Sequence, residues 1–67
     1  MRYVFPAGID AEPQLTLEQV KALDRVADRF ELTHPVTVHP MLGGDKAVLV
    51  KVPRMWLGIE PDGYTHS

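Results

Sequence analysis

The period of the apolar positions changes along this chain, and those changes divide it into elements. Val20, Leu23, Val26, Ala27 and Phe30 recur at three- and four-residue steps, which lays one apolar stripe along a helix. Glu18, Lys21, Asp24, Arg25 and Asp28 fall largely off that stripe. Thr16 and Gln19 have the spacing of a capping box, in which each side chain satisfies the other residue's backbone N–H, and Leu15 and Val20 are placed for a hydrophobic staple. Glu18 in the first turn and Arg29 in the last complement the helix dipole. Pro35 biases His34 away from helical angles. The pattern predicts a helix over Leu17 to Glu31.

Elsewhere the period is two. Arg2 to Phe5 reads as a short strand ended by Pro6 and Gly8, and the nine residues from Pro6 to Gln14 form a loop, longer than the common connection of about 2–6 residues. Val36 to His39 alternates between Pro35 and Pro40, which predicts a strand near an edge. Met41 to Lys46 is a turn segment around Gly43 and Gly44. Ala47 to Val52 is β-branched and almost apolar on both faces, which predicts a central strand. Met55 to Ile59 is another strand after the break at Pro53. Glu60-Pro61-Asp62-Gly63 has the residues of a type I turn followed by a left-handed glycine, and Tyr64 to His66 returns as a short last strand. Connections after the helix are too short for parallel crossovers, so those strands pair with antiparallel neighbours. The expected architecture is a single α+β domain over residues 1–67, one helix on a small, mostly antiparallel sheet in the order β-α-β-β-β(-β). The direction of the first strand stays open at this point.

Composition narrows the function more than it names it. With 45% hydrophobic and 24% charged residues, the chain has the balance of a soluble globular protein. At 67 residues it buries only about 60% of its unfolded surface. It holds no cysteine, so neither a disulfide nor a thiolate metal site supplements that core. Efficient local structure, or burial against another chain, must make up the difference. The formal net charge of −2 does not favour nucleic acid or an anionic membrane surface. The N-terminus lacks a signal-peptide pattern, and the longest apolar-rich run, Ala47 to Val52, is far short of the ~20 residues of a membrane helix. A cytoplasmic protein is expected.

Candidate chemistry is sparse. His34, His39 and His66 lack the spacing of a metal-binding helix pair or of one strand face. The hydroxyls form no nucleophile elbow or Ser/His/Asp arrangement. Asp10 with Glu12, and Glu60 with Asp62, fall in proline-containing turns where solvated acids are ordinary. Gly43-Gly44-Asp45-Lys46 precedes a strand, whereas a phosphate-binding loop opens a helix. No catalytic residue, cofactor or metal is expected. Nucleic acid is the second possibility, with Arg2, Lys46, Lys51 and Arg54 gathered on a sheet face and Trp56 or Tyr64 as a stacking platform.

Four apolar residues stand out. Met41 and Leu42 flank a Gly-Gly turn, where a solvent-exposed tip is ordinarily polar. Met55 and Trp56 are neighbours on one strand and therefore point to opposite faces. If all four do not fold into one core, they form a protein interface. The expectation is a small non-catalytic interaction module with Met41, Leu42, Met55 and Trp56 in its contact surface, whose partner is another copy or a larger cytoplasmic protein. In size and in its opening on Met1 the chain is similar to small accessory proteins of bacteriophages, a likeness that assigns no residue and no activity.

Overall fold

The computed structural model describes residues 3–8, 14–41 and 46–67. One helix, α1 (Leu17–Arg29), packs on a five-stranded sheet. The strands are β1 (Tyr3–Val4), β2 (Val36–Pro40), β3 (Val48–Val52), β4 (Met55–Ile59) and β5 (Thr65–His66), and they lie side by side in chain order. The class is α+β, as the hydrophobic periods predict. Three of the four pairings are antiparallel. The other, β1 with β2, is parallel, because the helix carries the chain back along the sheet before β2 begins.

The helix opens as its sequence predicts. The Thr16 hydroxyl accepts from the Gln19 N–H at 3.0 Å, and Gln19 Oε1 accepts from the Thr16 N–H at 3.0 Å. Its end differs from the expectation of Glu31: helical geometry stops at Arg29, with Phe30 as the C-cap. The cause is a left-handed Glu31, φ 53°. This turns the chain so that the Glu31 N–H donates to the Asp28 carbonyl and the Leu32 N–H to the Ala27 carbonyl at 3.0 Å. That pair of bonds is a Schellman motif, built here with glutamate where glycine is usual. Leu32 follows it onto the core.

Ala22, Leu23 and Val26 of the helix meet Val36, Val38, Val48, Val50, Val52, Leu57 and Ile59 of the sheet in one buried cluster. Alternate residues of β2, β3 and β4 supply the sheet's share, as the period of two requires. Tyr3, Phe5, Leu15, Phe30 and Leu32 pack around its rim. β3 is the central strand of the five, in agreement with its apolar sequence. β2, expected near an edge, is the second strand of the sheet, between β1 and β3. The two prolines are tolerated there because β1 pairs only with Val36 and Thr37. Pro40, beyond the end of β1, has a strand partner only on β3.

Two tight turns complete the sheet. Pro53 and Arg54 join β3 to β4, and Arg54 has φ 78°, the sign that the third residue of a type II turn requires after proline. Between β4 and β5, Gly63 has φ 91° and donates its N–H to the Glu60 carbonyl at 2.8 Å, as the turn chemistry of Glu60 to Gly63 predicts.

Candidate interaction surface

Helix α1 covers one face of the sheet; no described element covers the other. Strand alternation and register place Thr37, His39, Leu49, Lys51, Trp56, Gly58 and His66 on that open face. Leu49 is half-buried, Lys51 is exposed and Trp56 is 48% exposed. The Trp56 ring meets His39 edge-on at 5.2 Å between centroids, and the Lys51 ammonium stands 5.8 Å from its centre. Trp56 therefore leans across β3 toward β2, between an imidazole and a cation. Its position requires β2, β3 and β4 together, so sequence spacing alone does not bring His39 beside it.

A second aromatic group borders the same face. The Tyr64 and His66 rings stack at 5.6 Å, and His66 Nε2 contacts Glu60 Oε2 at 2.9 Å. His66 lies over Gly58, where an added Cβ would stand 2.9 Å from its ring. Glycine inside a strand often marks such a close approach, a signal in the sequence that periodicity does not use.

The four apolar residues singled out from sequence are distributed as follows. Leu42 lies outside the described residues. Met41 is 37% exposed and directly follows β2, whereas Trp56 is paired with Lys51. That separates them by about four residues along the sheet, roughly 13 Å at the rise of a strand. Met55 is also 37% exposed, but it pairs with Val52 of the buried row and so borders the helix-covered face. None of the three described residues belongs to the core cluster. Met55 and Trp56 are adjacent in the chain and flank one strand from opposite sides.

The basic residues are also divided. Lys51 is on the open face, Arg54 is in the turn beside it, and Lys46 is at the far end of β3; Arg2 lies outside the described residues. His34, His39 and His66 do not converge, and no cluster of three potential metal-ligating side chains occurs among the described residues. No described helix is long and apolar enough to cross a membrane. Comparison with protein families, curated proteins and solved structures finds no match to this chain.

The residue that sequence reasoning underrates is Gln19. Its role in the capping box is legible, but its side chain is also 1% exposed. Its amide donates to the Lys46 carbonyl at 2.9 Å and to the Ile59 carbonyl at 3.2 Å. One side chain thus joins the helix start to β4 and to the approach to β3.

Proposed function

We propose that this chain is a small non-catalytic protein-interaction module, with Trp56 at the centre of its contact surface. The carrying observation is the half-exposed indole held between His39 and Lys51 on a sheet face that no described element covers. Tryptophan supplies large contact area and is enriched where interfaces concentrate their energy. A short chain without disulfides also gains stability from burial against a partner. The partner in this reading is another copy or a larger protein of the cytoplasm.

Nucleic-acid binding is the second reading, favoured by the same indole with Lys51 above it, since bases stack on aromatic rings beside cations. Against it stand the net charge of −2 and a helix surface that mixes Glu18, Lys21, Asp24 and Arg25. The experiment is Trp56→Ser, followed by thermal melting, by mass in solution and by a salt titration with mixed DNA and RNA. The expected outcome is an intact fold with lost protein association and no salt-dependent nucleic-acid binding in the parent. Binding to the nucleic acids that falls steeply with salt gives the second reading instead. A Trp56→Ser variant that simply unfolds makes Trp56 a structural residue and sinks the first.

A further inference from the structure

The strand registers arrange the open face of the sheet in two rows that cross the strands. Val4 is opposite Thr37, the β2–β3 register continued by one residue sets Thr37 opposite Lys51, and Lys51 is opposite Trp56. The second row is His39, Leu49, Gly58 and His66. The first row therefore has an apolar side chain at each end, Val4 at 40% and Trp56 at 48% exposure, with a hydroxyl and an ammonium between them. Its ends are three strand spacings apart, about 14 Å. Neither row holds a carboxylate, although the whole chain has nine Asp and Glu against seven Lys and Arg. Glu60 reaches the border of the second row as the partner of His66, at 2.9 Å.

The first row also opens into a groove. A cavity of about 470 Å³ lies between residues 33–35 and Pro53, with Thr37 and Lys51 on its wall and Phe30 and Leu32 in its apolar lining. Lys51 thus stands between this groove and the indole, whose centre is 5.8 Å from the ammonium.

We propose that this face binds an acidic amphipathic helix of a partner protein, laid across the strands from Val4 to Trp56 with a carboxylate on Lys51. This rests on the interaction-module reading above and gives the chemistry of its partner. The backbone groups of a sheet bond within its plane, so its face offers a docked chain no N–H or C=O. A docked segment must satisfy its own backbone, which a helix does, and helices commonly cover sheet faces. About ten residues of helix span 14 Å, so apolar side chains near its two ends meet Val4 and Trp56, and a further one has room in the groove. A cationic patch without carboxylates, on a chain of net charge −2, selects an acidic partner. A second copy is the poorer occupant. Helix α1 already turns its apolar stripe into the core, and two such faces laid together bring no carboxylate to either Lys51. Nucleic acid is also disfavoured, because lysine appears once in the two rows and affinity for phosphates grows with the number of cations.

The test is selection from a random hexadecapeptide library displayed on phage, with the whole chain as bait, and titration of the selected synthetic peptide. The expected peptides repeat apolar residues at three- and four-residue steps, carry Asp or Glu, and gain helical circular dichroism on binding. Trp56→Ser should weaken binding at least tenfold. Lys51→Glu, on the exposed surface, should weaken it about tenfold and Lys51→Arg less than threefold, a pair that covers the case in which the serine variant fails to fold. Failure to enrich any sequence, enrichment of basic peptides, or a bound peptide that gains no helix overturns the proposal. If such a peptide still requires Trp56, the interaction module stands and only the acidic helix is lost. Binding indifferent to Trp56→Ser and Lys51→Glu overturns both. A concentration-dependent dimer that Trp56→Ser disperses makes the occupant a second copy and overturns the helix alone. Steeply salt-dependent binding of mixed DNA and RNA that Lys51→Glu abolishes makes it a nucleic acid and overturns both readings.

Discussion

The two ends of helix α1 are built differently. At its start, Thr16 and Gln19 tie four segments together. The Thr16 hydroxyl donates to the Pro61 carbonyl at 2.6 Å, and Gln19 reaches Lys46 and Ile59. The left-handed position of the adjoining turn is a glycine, Gly63, packed against the Glu18 backbone. At the helix's other end the left-handed positions are Glu31 and Arg54. The first end has its polar groups satisfied and a residue suited to each backbone angle. The second retains charged side chains at positions that would favour glycine. Stabilising features concentrate at one end, and charged residues at left-handed angles lie at the other.

The sharpest way to break this contrast is to cut the tie at the closed end. Gln19→Leu keeps roughly the volume but takes the amide donor from the Lys46 and Ile59 carbonyls and the acceptor from the Thr16 N–H. An unsatisfied buried group costs about 1–3 kcal/mol. Water reaches the Thr16 and Lys46 groups, so the expected loss is about 3 kcal/mol in total. That is most of the stability of a chain this size, about 3–5 kcal/mol. Urea unfolding measures it, and a midpoint within error of the parent would show that Gln19 is only a helix cap.

Gly63→Val comes next. It forces a β-branched residue to φ 91° and brings a Cβ to 3.0 Å from the Glu18 carbonyl oxygen. The angle alone costs about 1–2 kcal/mol in a non-glycine residue, and the contact adds to it, so a loss near 2 kcal/mol is expected in the same unfolding assay. An unchanged midpoint would mean that the turn adopts another conformation.

The closed end was far more legible in the sequence than the open one, and the reason is physical. Thr16, Gln19 and the Glu60 to Gly63 turn act within a few residues of themselves, so spacing carries the information. The helix stripe and the strands β2, β3 and β4 are likewise periodic. The parallel direction of β1 is a long-range choice with no local signature. The other side of Gln19 is equally long-range, because its partners Lys46 and Ile59 lie 27 and 40 residues away. Around Trp56, the sequence singles out the residue and its neighbour Met55. It does not place His39 beside the indole, since that requires the register of three strands. The end of the helix was displaced by a glutamate at an angle that local patterns reserve for glycine.

The smallest effects belong to the open end and have the opposite sign. Glu31→Gly puts the preferred residue at the left-handed position of the Schellman motif and removes a negative charge from the helix C-terminus, where it opposes the dipole. Arg54→Gly likewise puts the preferred residue at the left-handed third position of the β3–β4 turn. Relief of the left-handed angle is partly offset by the greater freedom of glycine in the unfolded chain. Gains of about 1 kcal/mol for Glu31→Gly and about 0.5 kcal/mol for Arg54→Gly are therefore expected, read as increases in the thermal midpoint. An unchanged or lowered midpoint for either variant would mean that the side chain, rather than the backbone angle, governs that turn.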